Sequence, residues 1–425
     1  MAQSILFIFY LVIFISIIKK MPFFQGPLTF SFLIIILFFK IIGGALVAYI
    51  YTSSYKGDTY TLMHDAKTMY SGLSSAPLLY LQFISGIEID KASLIPYYEK
   101  ITSYDHYSYN KLFKDPLILL RINTFLCLFS FGYYYVQMLF MCFISLVGTL
   151  ALYKTAISIS TCNKWLLAVS CFGIPSVIVW GSSLLKEPLI LFFVGFMIYA
   201  FHSYLVHGRM KHFIFFLLFT LLLTGMKPYI SIALLPGIVA WKIYTVRKKS
   251  FLFSLLISNI LTYLLVIFAS LANPRYDLFH YLNNQQIIAY KNAVYYQAHS
   301  LLKLIPFAPN PISVLKHIPE GIMLGLTRPY INENHSILWQ LSAMENCCVI
   351  LFILILIFNL DLQKINKQPL GGLSIVAGLI IIVLVAYTNP VLGTLIRLKM
   401  PGVFLLCFGL ATLSKSSKEK LKSIV

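Results

Sequence analysis

Residues 29–51 read TFSFLIIILFFKIIGGALVAYIY, and residues 57–70 follow with GDTYTLMHDAKTMY. The first stretch carries one charge over a length that crosses the roughly 30 Å hydrocarbon core of a bilayer at 1.5 Å per residue. Two carboxylates, Asp58 and Asp65, stand at its exit. The first stretch decides the fold class, and the second raises the question of function.

The rest of the chain repeats the first pattern. Its 425 residues are 59% hydrophobic and only 11% charged, with a mean hydropathy of +0.83. The surface of a soluble chain needs about 25% charged residues. Apolar runs recur at 3–18, 29–51, 133–153, 165–181, 187–205, 213–226, 229–246, 251–272, 346–360, 371–388 and 401–414. These are continuous rather than alternating, which excludes a β-barrel. The reading is an all-α, polytopic integral membrane protein of about eleven transmembrane helices. Residues 117–132, interrupted by Arg121 and Asn123, form a half-helix leading into the next span. The run Ile5–Ile18 lacks the basic leader of a signal peptide and is read as a helix.

The net charge of +19 follows the membrane rather than a nucleic acid, since no nucleic-acid-binding motif stands out. Basic residues gather after alternate runs: Lys19 and Lys20; Lys154 and Lys164; Arg209 and Lys211; Lys242, Arg247, Lys248 and Lys249; Lys364 and Lys367; Lys415, Lys418, Lys420 and Lys422. Of the 14 acids, only Asp361 and Glu419 share that side. The bias places the N-terminus outside and the C-terminus in the cytoplasm. One transmembrane domain then covers 1–425, with two outer segments, 52–116 and 273–345. Stretches such as APLLYLQFI and LLKLIPFA predict helices lying in the headgroup layer.

Cytoplasmic loops this short hold no catalytic domain, and no GxxxxGK[ST] loop is present. There is also no HExxH and no GxSxG. The seven cysteines (Cys127, Cys142, Cys162, Cys171, Cys347, Cys348 and Cys407) show no zinc spacing and read as small core residues, with Cys347 and Cys348 opening a helix. On this assignment no Asp or Glu falls in mid-membrane, which weighs against an ion-coupled carrier.

Polar groups gather on the outer side. On a helix, Asp58 and Asp65 are seven residues apart and share a face; either can serve as a general base near an apolar wall. Arg121 lies within DPLILLRINTF. In PSVIVWGSSLLKEPLI, Ser182 and Ser183 are placed to cap a helix starting near Lys186, with Glu187 in its first turn. Lys227 occupies a tight turn, GMKPYI. Arg328 stands in GLTRPYINENH with Glu333 and His335. Arg397 and Lys399 precede the final helix in TNPVLGTLIRLKMPG. Cations displayed here run against the topogenic bias and point to an anionic ligand at the outer leaflet.

GDTYTLMHDAKTMY resembles the first-loop aspartate motif of GT-C membrane glycosyltransferases, and GTLIRLKMPGVFLL resembles their closing segment. Gly57, Asp58 and Tyr60, with SSLLKE, also resemble motifs of exopolysaccharide and O-antigen polymerases. Here the acidic motif follows the second helix, where GT-C enzymes commonly place it after the first. The resemblance implies an enzyme of cell-envelope glycan assembly in a bacterial inner membrane. Its donor would be a polyprenyl-phosphate-linked sugar or oligosaccharide. Asp58 or Asp65 would be catalytic, and Arg121, Lys186, Lys227, Arg328, Arg397 and Lys399 would hold the donor phosphate. Two carboxylates near a phosphate leave room for a divalent cation, although no ligand set is visible for one. A lipid or glycolipid transporter is the alternative from another class.

Overall fold

The computed structural model describes residues 1–53, 58–86, 95, 99–101, 115–247, 250–273, 276–298, 300–302, 306–333 and 337–416. Gly57, His335, Lys248, Lys249, Lys418, Glu419, Lys420, Lys422 and residues 303–305 of LLKLIPFA lie outside them. The described chain is all-helical, 83% helix, with no strand beyond isolated bridges.

The helices are α1 (Ala2–Lys20), α2 (Phe30–Ser53), α3 (Asp58–Ser75), α4 (Pro77–Ser85), α5 (Asp115–Ser130) and α6 (Tyr134–Ile159). Then come α7 (Lys164–Phe172), α8 (Pro175–Val179, continued by a 3-10 turn Trp180–Ser182), α9 (Glu187–His207), α10 (Met210–Met226), α11 (Pro228–Arg247) and α12 (Phe251–Ala272). The last six are α13 (Leu278–Tyr295), α14 (Pro311–Lys316), α15 (Ile318–Thr327), α16 (Ile337–Phe358), α17 (Pro369–Thr388) and α18 (Leu392–Thr412). Among the described residues, nine helices are long and apolar enough to cross a membrane, or up to ten if the bent pair α7–α8 counts as one span. α10 and the apolar part of α5 are shorter. The run 165–181 is two helices bent by 54°, and 213–226 falls on the shorter α10, so nine or ten candidate spans stand where about eleven are expected; the multi-pass class stands.

The chain divides into two compact units. The first is Met1–Lys154 with Val177–Pro228; the second is Thr155–Ser176 with Tyr229–Val425. In the first, α3 packs on α4 and α5, and α9 packs on α10. The buried face of α3 holds Thr59, Leu62, Met63, Asp65, Ala66, Met69 and Gly72, a helical stripe with one carboxylate in it. APLLYLQFI does form a helix, α4, which buries Tyr80 and Phe83 and exposes Leu78 and Leu81, whereas the described residues of LLKLIPFA, 301–302 and 306–308, are not helical.

The second unit is built around α17 and α18. α18 is the most enclosed span, with 83% of its apolar window buried, against 11% for α1. Lipid tails are as apolar as leucine, so helices in a bilayer associate through close packing rather than hydrophobic exclusion. Here glycine allows that approach: a Cβ on Gly378 would stand 2.7 Å from the Gly402 carbonyl oxygen.

Two helix starts differ from the sequence reading. α18 begins at Leu392, nine residues before 401, so Arg397 and Lys399 lie inside the last span and not ahead of it. Pro401 reads as a first-turn proline, a common role, but it sits within the helix. Its missing N–H removes one i→i−4 bond from the helix ladder, a change membrane helices accommodate. α16 begins at Ile337 rather than 346, which puts Cys347 and Cys348 in mid-helix and Glu345 inside the apolar span Trp339–Phe358. Glu345 therefore lies within a helix long and apolar enough to cross a membrane and not ahead of it.

Candidate functional site

Polar chemistry concentrates in two places, one in each unit. In the first, α3 follows α2 in the chain and opens with Asp58 in its first turn. The helix N-terminus favours a carboxylate there. Asp58 is exposed, whereas Asp65, two turns on, is fully buried with the His64 ring nitrogen 3.4 Å from its carboxylate. The helical spacing does put both on one side of α3, and position along the helix sets them apart. Asp65 lies on the buried stripe of α3, whereas in the first turn Asp58 and Tyr60 are exposed and Thr59 between them is buried.

Seven residues at 1.5 Å rise separate the two carboxylates by about 10 Å along the axis, too far to share one cation held at 2.0–2.6 Å. No group of three or more His, Cys, Asp and Glu side chains gathers at ligand spacing among the described residues. The donors at hand thus do not fit a divalent cation between the aspartates, and no step is routed through one.

Arg121 is half-buried on α5, in the same unit. Its guanidinium lies over the Phe83 ring, 5.9 Å from the centroid, and against Gly86. Gly86 ends α4 at φ +68, and a Cβ there would stand 2.5 Å from Nη1. The glycine therefore serves both the left-handed turn and the arginine. Tyr80 braces the same contact by donating to the Thr124 carbonyl at 3.0 Å. Asn123, next but one to Arg121, accepts from Gln137 Nε2 at its carbonyl (2.8 Å) and its Oδ1 (3.0 Å).

Lys186 and Lys227 also belong to this unit. Lys186 is the N-cap residue of α9, with Glu187 and Pro188 following. Ser182 and Ser183, expected to cap that helix, do not: their hydroxyls donate backwards to the carbonyls of Ile178 (2.6 Å) and Trp180 (3.0 Å). Carbonyls at the end of the preceding turn compete for short hydroxyl side chains and win. Lys227 is the C-cap of α10, and Pro228 opens α11, as the GMKPYI turn predicts.

The second concentration lies in the other unit, and much of it escapes the sequence. A cavity of about 10 Å³ is lined by Ser176, Leu326, Glu345, Asn346, Val349, Ile396, Lys399, Met400 and Val403. Lys399, 5% exposed, donates to the Arg328 carbonyl at 2.7 Å and to Asn346 Oδ1 at 3.0 Å. The Asn346 amide donates onward to the carbonyls of Thr327 (3.3 Å) and Pro329 (3.4 Å). Glu345 accepts from the Ser176 amide at 2.6 Å. Of the eight residues selected from sequence, Lys399 alone lines this cavity. The Arg328 guanidinium pairs with Glu333 and lies over the Tyr330 ring, 4.6 Å from its centroid. Arg397 is half-buried on α18.

Lys40 was also missed. It lies within α2, 1% exposed, and its ammonium donates to Ser145 Oγ at 2.8 Å and lies 3.5 Å from the Val177 carbonyl. The signal was the single cation in LFFKII, and an ionisable residue at that depth marks function by default. Comparison of the chain with family models, with curated proteins and with solved structures gives no match.

Proposed function

We propose that the chain is a membrane glycosyltransferase that takes a sugar from a lipid-linked phosphate donor at the extracytoplasmic face. The observation that carries the reading is α3, an acidic helix directly behind a span, braced by α4 and α5, with an accessible carboxylate in its first turn. In this reading Asp58 removes the proton of an acceptor hydroxyl as that oxygen attacks the anomeric carbon. The bond from that carbon to the phosphate oxygen breaks, and the lipid phosphate leaves with the electron pair. Direct displacement inverts the anomeric centre. Arg121, Lys186 and Lys227, which share Asp58's unit, hold the departing phosphate. Asp65, enclosed beneath the same helix face, positions α3. The N-terminus lies outside and the C-terminus in the cytoplasm of a bacterial inner membrane. Joining whole lipid-linked repeat units, as a polymerase does, uses the same donor chemistry.

A second reading has one observation in its favour. Lys40, Glu345 and Lys399 all lie inside apolar spans, where a lipid or glycolipid transporter would carry them. The experiment that separates these readings is a deletion strain complemented with wild type or Asp58→Asn at matched membrane abundance, scored for glycan and for lipid-linked intermediates. The enzyme reading predicts loss of glycan with truncated intermediates accumulating, or single repeat units if the chain polymerises. Unchanged glycan output from Asp58→Asn would reject it in favour of transport.

A further inference from the structure

The cavity beside α16 and α18 has a composition that selects its occupant. Its polar lining is one carboxylate, one ammonium, one amide and one serine; the remainder is Leu326, Val349, Ile396, Met400 and Val403. An anion would meet Glu345 and a cation would meet Lys399, and either costs several kcal/mol in so apolar a setting. A volume of about 10 Å³ is on the scale of a single water site. Among the ion pairs of the described residues, none joins Glu345 directly to Lys399. Yet each is the charge that acts on the other. A water is the group that completes such a pair, because it can accept from the ammonium and donate to the carboxylate at once.

We propose that Glu345 and Lys399 form a water-bridged ion pair within the membrane span that binds and releases one proton as a unit. The Lys399 ammonium favours the ionised carboxylate, and its own bonds to the Arg328 carbonyl and Asn346 Oδ1 keep it charged when Glu345 is protonated, so the pair takes up one proton, at Glu345. When Glu345 takes a proton from the aqueous phase, its charge-assisted bond to the Ser176 amide weakens. At the other end, the Lys399 ammonium holds the Arg328 carbonyl directly and those of Thr327 and Pro329 through Asn346. The proton site therefore ties the start of α8 and the turn after α15 to one titration. The groups facing the pair are Asn346 from its own helix, Ser176, and Leu326 of α15; the Arg328 guanidinium is turned to Glu333. The proposal goes beyond the functional reading and holds for an enzyme or a transporter alike.

The test is infrared difference spectroscopy of the full chain in lipid nanodiscs during a pH titration, in H2O and D2O. Wild type should show a protonated-carboxyl band with a defined midpoint, absent in Glu345→Gln. In Lys399→Met that midpoint should rise by about one to three pH units, and Lys399→Arg should restore it. A second measurement stands if Lys399→Met folds poorly. In a thermal-melting cycle, Glu345→Gln with Lys399→Met should melt above either single variant. An unmoved midpoint in Lys399→Met, a band that survives Glu345→Gln, or a double variant showing the summed loss of the singles would overturn the proposal.

Discussion

The α3 aspartates and the Glu345–Lys399 cavity pose the same physical problem and solve it differently. Asp58 avoids desolvation by standing at the exit of a span, exposed in the first turn of a helix. Glu345 and Lys399 stay within spans and rely on a backbone amide, an asparagine, a carbonyl and each other. A carboxylate kept wet can meet a diffusing acceptor. A carboxylate enclosed beside an ammonium is suited to holding a proton and a turn in place. On the proposed reading, transfer chemistry belongs to the first region and proton-linked structure to the second.

The largest structural effect expected comes from the framework that holds the second region. Gly378→Leu forces a side chain into the Gly402 backbone, where nothing flexible can yield. We expect loss of monodisperse protein by size-exclusion chromatography; normal recovery would mean that α17 and α18 do not approach as described. Next is Lys399→Met alone, which strands a buried carboxylate at a cost of about 3–5 kcal/mol. A melting temperature equal to wild type would show that Glu345 needs no partner, and the contrast between the regions would collapse.

These two predictions also mark what the sequence could and could not reveal. The multi-pass class and most of the apolar helices were legible because composition and run length report burial in lipid directly. The GMKPYI turn and the α4 helix were legible for the same local reasons. The Glu345 site was not. A last span placed at 401–414 left Lys399 ahead of it, and a span placed at 346–360 left Glu345 ahead of that one. Two boundary errors in elements distant along the chain concealed one cavity. Lys40 shows another limit: a single cation among leucines and phenylalanines gives no hint of the Ser145 hydroxyl, 105 residues away, that receives it.

A milder effect is expected within the first region. Asp65→Asn keeps the shape of a fully buried side chain but removes its charge from the α3 stripe. It should lower stability by about 1–3 kcal/mol and leave substantial transfer activity. Glycan output as low as that of Asp58→Asn, at equal melting temperature, would move the catalytic role to Asp65. The smallest effect concerns a residue that belongs to neither region. Asp277 caps α13, accepting from the amides of Phe279 (3.0 Å) and His280 (3.1 Å), with the His280 ring at 2.6 Å. Burial works against its carboxylate. The His280 amide, the His280 ring and its charge, and the Phe279 amide outweigh burial and hold the pKa below the ordinary value. A depressed folded pKa means that the cap's stabilisation is present above the ordinary carboxylate pKa of about 4 and is lost as pH falls through the lower folded value. Asp277→Ala should cost about 1 kcal/mol at neutral pH, and the gap to wild type should close in acid. A gap that widens in acid would contradict the capping geometry.

The central claim is that transfer chemistry belongs to the wet carboxylate and not to the enclosed one. The most direct measurement is glycan output per unit of membrane protein in a deletion strain carrying Asp58→Asn or Glu345→Gln, side by side. The account predicts a fall on the order of 10²-fold or more for Asp58→Asn, the scale of a lost general base, and a far smaller change for Glu345→Gln at neutral pH. Full output from Asp58→Asn with collapse in Glu345→Gln would contradict it and place the essential chemistry inside the membrane.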